Sequence, residues 1–148
     1  MRYRLLASGS LALGGLFLMV MGIYFAFLRP AILPEDARYI GASLTQIESA
    51  IPRMTPWLDR VFGVLAGFMF ATGLLTLFVA ATSFKAGTRG AVWIVSFSGL
   101  ASIGWMAITN FLIDSDFKWL LLALTLPWVI TLLLLAADRF SAGAHTSG

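Results

Sequence analysis

The chain has 148 residues, of which 59% are hydrophobic and 11% charged, with a formal net charge of +3. A soluble domain carries about 25% charged and about 45–50% apolar residues. Once four stretches of about 20 residues lie in lipid, no length remains for a separate aqueous enzyme domain. The absence of cysteine and the single histidine, His145, exclude disulfides, thiolate metal sites, cysteine nucleophiles and a haem held by two histidines of one chain. No cofactor is expected, and with no run of basic residues no nucleic-acid partner is expected either.

The first apolar run covers residues 5–28, with Arg2 and Arg4 before it and Arg29-Pro30 closing it. It is far longer than the 7–15-residue core of a signal peptide and no small-x-small cleavage site follows it, so it predicts a retained membrane helix. Residues 29–54 form the one long connection. Pro34-Glu35-Asp36 opens a helix, with proline first and acids facing the positive end of the dipole, and Gly41 closes it. Ser43-Leu44-Thr45-Gln46 has capping-box spacing, and Leu44, Ile47 and Ile51 share one helical face before Pro52. Two short surface helices are therefore predicted, over about 34–41 and 43–51.

The second membrane helix starts at Thr55-Pro56-Trp57, a cap, a first-position proline and an interfacial aromatic, and covers 57–82. A basic turn, Ser83 to Arg89, leads to the third, 90–113. Asp114-Ser115-Asp116-Phe117-Lys118 turns into the fourth, 119–137, in which Pro127 should kink the helix and free the carbonyl of Ala123. Residues 1–140 thus read as one transmembrane domain and 141–148 as a disordered tail. The predicted fold is an all-α membrane protein, a four-transmembrane-helix bundle with short surface helices in its first connection.

Lysine and arginine divide evenly between the two ends of this bundle. Arg2, Arg4, Lys85, Arg89 and Arg139 sit on the N-terminal side in short segments, while Arg29, Arg38, Arg53, Arg60 and Lys118 sit opposite. The concentration in short segments places both termini in the cytoplasm.

Within lipid, helices associate through close backbone approach, marked by small residues at helical spacing. Ser8, Ala12, Gly15, Gly22 and Ala26 form one stripe on the first helix, and Gly63, Gly67 and Ala71 form another on the second. These stripes are expected to face each other, with self-association or a partner interface as the other use of such a surface. No Asp, Glu, Lys, Arg or His lies in the middle of a span, which argues against a proton relay or a charged-substrate transporter. Deep hydroxyls are expected to bond back to their own helix, and Asn110 to bond between helices. Trp105, Asn110 and Trp128 are candidate lining residues of an apolar ligand pocket, weighed against simple packing. Glu35, Asp36, Arg38 and Tyr39 are the candidate partner surface. Paired carboxylates can do acid–base work, but capping explains Glu35 and Asp36 in a first helical turn.

Three stretches, Leu33 to Gly41, Trp57 to Phe62 and Gly67 to Gly73, resemble a group of small bacterial four-helix membrane proteins. The layout of one long connection and short turns is also similar to that of DoxX-type proteins. The resemblance implies a bacterial inner (cytoplasmic) membrane and no activity. The partners expected are the lipid bilayer and another membrane protein or a second copy. The first expectation for function is a non-catalytic accessory subunit or scaffold. The alternative is a protein holding a lipid or other small apolar ligand, as a carrier or an enzyme.

Overall fold

The computed structural model describes residues 2–84, 86–88 and 90–144. Among the described residues there are eight α-helices, six of which make up four spans. The first span is α1, Arg2–Phe27, and the connection carries α2, Pro34–Ile40, and α3, Leu44–Ala50. The second span is α4, Met54–Val79, continued by a π-helical turn over Ala80–Phe84. In the third, a π-helical turn over Leu100–Gly104 joins α5, Ala91–Gly99, to α6, Trp105–Leu112. The fourth is broken into α7, Lys118–Ala123, and α8, Leu126–Ala144. At 1.5 Å per residue α1 is about 39 Å long, enough to cross an apolar layer of about 30 Å. All four spans are long and apolar enough to cross a membrane. The chain is an all-α, multi-pass integral membrane protein.

α1 is the hub, packing along α4 on one side and α8 on the other. Its contact with α4 depends on missing side chains. A Cβ at Gly15 would lie 2.8 Å from the carbonyl oxygen of Gly73, and one at Gly22 would lie 2.9 Å from that of Ala66. Gly15 and Gly22 on α1 thus meet Gly73 and Ala66 on α4, each pair two turns apart, and the backbones touch directly. Ser8 closes the seam by donating from Oγ to the Ala80 carbonyl at 2.7 Å.

The seam with α8 is organised by Pro127 and Trp128. Proline supplies no N–H, so the fourth span breaks: Thr125 N–H instead donates to Leu122 O at 3.0 Å in a tight turn between α7 and α8. Pro127's own carbonyl accepts from Ser10 Oγ at 2.9 Å and Thr131 Oγ1 at 2.6 Å. Trp128 is buried, its indole lying where side chains would be at Gly14 of α1 and Gly99 of α5. Three spans therefore meet around one ring, whose Nε1 is buried and unpaired.

In the connection, Asp36 Oδ2 accepts from Leu33 N–H at 2.8 Å at the start of α2, and Gly41, with φ 78°, ends it in the left-handed conformation that glycine tolerates. α3 has the reciprocal capping box: Ser43 N–H donates to Gln46 Oε1 at 2.8 Å, and Gln46 N–H to Ser43 Oγ at 3.2 Å. Of Leu44, Ile47 and Ile51, only Ile47 is buried. The last helix departs from expectation at its end, running to Ala144 rather than stopping near 137. His145 to Gly148 of the expected tail, and Lys85 and Arg89 of the basic turn, lie outside the described residues.

Candidate functional site

The bundle closes at the end holding Arg4 and Asp138, whose side chains pair at 3.1 Å, and opens toward the connection. At the closed end α5 meets both α4 and α8, but toward the connection α6 packs chiefly on α7. The outer halves of the third and fourth spans therefore stand off from α1 and α4 and leave a cavity of about 700 Å³. Leu18, Met21 and Phe25 of α1 line one wall, Phe62, Leu65, Phe68 and Met69 of α4 a second, and Trp105, Met106, Leu120 and Leu121 a third. Phe68 and Trp105 are 68% and 65% exposed, so the cavity opens sideways between α4 and α6 to whatever surrounds the spans.

The charged lining lies at the connection end, where Arg29, Glu35 and Asp36 face the cavity. Arg29 follows directly on the apolar run of α1, and its side chain is only 8% exposed. Its guanidinium donates to Asp36 Oδ2 at 3.0 Å and to the carbonyls of Pro30 and Ala31 at 2.7 and 3.1 Å. It also stacks 3.8 Å from the ring centre of Phe62 and 5.4 Å from that of Phe25, a cation–π arrangement that compensates a partly desolvated charge. Glu35, one residue before Asp36 in the first turn of α2, is 2% exposed. Its Oε1 accepts from Ser115 Oγ at 3.2 Å, which ties the connection to the turn between the third and fourth spans.

Outside this mouth two further ion pairs lie in water. Arg38 bonds Asp116 at 2.8 Å, and Lys118 bonds Asp114. The hydrogen bond and charge of Asp116 raise the Arg38 guanidinium above its ordinary range, with smaller help from Glu35 and Asp114. The Lys118 hydrogen bond and charge hold the Asp114 carboxyl below the usual carboxylate range.

The structure separates residues that the sequence grouped. Trp105 and Asn110 line the cavity, but Trp128 does not; it is the core ring between Gly14 and Gly99. Asn110 Nδ2 donates to Met106 O at 2.9 Å within its own helix, rather than between helices. Thr72, Thr76, Ser96 and Ser102 likewise bond back to the preceding turn. On α1, Ser8, Gly15 and Gly22 are buried and Ala12 is half-buried, but on α4 Gly63, Gly67 and Ala71 are exposed. Nothing lies within 4 Å of a Cβ built at Gly63 or Gly67. The face of α4 that meets α1 carries Ala66, Met69, Gly73 and Thr76 instead. In the expected partner surface Glu35 and Asp36 turn inward, whereas Arg38 and Tyr39 are exposed.

Sequence reasoning missed Arg29 as a lining group. The available signal was its place between an apolar run and an acid seven residues on. For the inward turn of Glu35 the sequence held no signal, because its neighbour Ser115 is distant in the chain. Among the described residues no group of three His, Asp or Glu could hold a metal ion. No protein-family model matches the chain, no curated protein matches its sequence and no solved structure matches its fold. The class that fold and site define is therefore a four-span helical membrane protein with a laterally open, mainly apolar cavity and a polar mouth.

Proposed function

We propose that this protein binds a lipid-like amphiphile, with a hydrocarbon chain in the cavity and the polar head at the Arg29–Glu35 mouth. The observation that carries the reading is the unfilled space between α4 and α6. Its volume of about 700 Å³ falls within the range of small-molecule sites, roughly 300–1,000 Å³. A bundle serving only as a scaffold has no need of such a gap, since each void forfeits van der Waals contact. The sideways opening lets a chain enter from the bilayer without crossing water.

The test is native mass spectrometry of protein extracted gently from its own membranes. A reproducible bound mass of lipid size is expected. Thr72→Trp and Ala101→Trp, which fill the cavity from opposite walls, should each reduce its retention while leaving thermal stability intact. Retention undiminished in both variants would exclude the cavity as the binding place.

One observation supports the accessory-subunit reading as a second use: the stripe Gly63, Gly67 and Ala71 is exposed on α4, a surface suited to close helix approach. The chain has no cysteine, so Gly67→Cys gives a clean cross-linking probe. A cross-linked dimer formed in native membranes would support self-association, and none would count against it. We further place the protein in a bacterial inner membrane with both termini cytoplasmic, on the resemblance and on the crowding of Arg2, Arg4, Lys85, Arg89 and Arg139 into short segments.

A further inference from the structure

Glu35 carries an inference about what kind of head group the cavity takes, and it rests on the reading that the cavity holds an amphiphile. Of the other acids at this end of the bundle, Glu48 and Asp59 lie exposed to water, and the remaining three have basic partners. Asp36 has Arg29, Asp116 has Arg38 and Asp114 has Lys118. Glu35 is 2% exposed and faces the cavity, and the hydrogen bond it accepts comes from a neutral hydroxyl, Ser115 Oγ, at 3.2 Å. That is long beside the 2.5–2.7 Å usual for a hydroxyl on a carboxylate.

Burying a carboxylate without a cation or several donors is costly. The nearby cations are bonded elsewhere: Arg29 is committed to Asp36, to two backbone carbonyls and to the Phe25 and Phe62 rings, and Arg38, which feels the charge of Glu35 only at a distance, hydrogen-bonds Asp116 at the surface. The mouth formed by Arg29, Asp36 and Glu35 thus has one more negative group than positive, with the surplus turned inward.

We propose that Glu35 anchors the head group of the bound amphiphile, and that this head carries an ammonium, as in an aminophospholipid. Three ammonium donors fit a buried carboxylate that lines a mainly apolar chamber. The tail then lies along Leu18, Phe68 and Trp105. An anionic head is repelled by Glu35 and finds Arg29 already satisfied, and a hydroxyl head leaves the surplus charge in place.

The full chain is reconstituted in phosphatidylcholine nanodiscs doped equally with phosphatidylethanolamine and phosphatidylglycerol of identical chains. Retained lipid is then read by native mass spectrometry. Wild type should keep phosphatidylethanolamine about tenfold over the other two, the factor expected of one charge-assisted hydrogen bond. Glu35→Gln should still keep lipid but lose the preference. Equal retention of all three by wild type, or an unchanged preference in Glu35→Gln, overturns the head-group assignment alone. Retention of no lipid by wild type, matching Thr72→Trp, overturns the cavity reading itself. A measurement on the unaltered chain stands apart from how Glu35→Gln folds: dodecylamine should raise Tm in detergent more than dodecanol at equal concentration. Equal shifts count against the ammonium.

Discussion

Toward the end of the bundle that carries Arg4 and Asp138, α1, α5 and α8 come together around Trp128, and α4 touches α1 backbone to backbone. Gly14, Gly15, Gly73 and Gly99 supply the room that lets backbone and indole touch. At the connection end the same spans carry Phe25, Phe62, Phe68 and Trp105, and these bulky groups line a space rather than fill one. The comparison teaches that apolar content does not decide packing here, since both halves are apolar. What decides it is whether small residues on neighbouring helices fall opposite one another. Where they do, the helices touch; where aromatics stand in their place, the third and fourth spans stay apart.

The largest way to break this comparison is at its closed end. Trp128→Ala should cost about 3–5 kcal/mol, the usual range for removing a buried tryptophan, read as a fall in thermal stability in detergent. A Tm within error of wild type would remove Trp128 from the core.

Next comes Gly73→Leu, whose side chain would enter the backbone of α1 at Gly15 and Met19. A loss of about 1–3 kcal/mol is expected from overpacking, again visible in Tm. The sharpening control is Gly67→Leu on the exposed face of the same helix, where an effect within about 0.5 kcal/mol is expected. If Gly67→Leu destabilised the monomer as much as Gly73→Leu, the assigned face of α4 would be wrong.

The smallest effect concerns pH. Asp114 has a carboxyl pKa lowered by Lys118, so its contribution is present above the ordinary carboxylate pKa of about 3.9 and is lost as pH falls through the lowered value. Stability followed by thermal melts should therefore show no Asp114-dependent change between neutral pH and that range, and a small loss below it that Asp114→Asn abolishes. Arg38, raised rather than lowered, adds no such step, because a guanidinium stays charged at every usable pH.

The four spans were legible from length and apolar composition alone, because the lipid core demands long helices that satisfy their own backbone. The two short helices of the connection were legible from Pro34, Gly41, Ser43 and Gln46, because caps and stops are local chemistry. On α1 the two glycines of the stripe, Gly15 and Gly22, do meet α4, while Ala26 at its end is exposed. The matching face of α4 was not legible. Gly63, Gly67 and Ala71 repeat as cleanly as Ala66, Met69, Gly73 and Thr76, and in lipid an apolar face looks the same whether it meets a helix or an acyl chain. The pairing of Trp105 with Trp128 failed for a related reason: both lie deep in their spans, and depth does not say which way a side chain points.

The sequence by itself thus determined which segments span, how apolar they are and, except at the end of the last helix, about where they start and stop. Tertiary structure alone decided which faces meet, that Trp128 belongs to the core, that α6 stands off from α4, and that Glu35 turns inward to Ser115. Those outcomes depend on the fit of surfaces far apart in the chain, and no local pattern of residues records that fit.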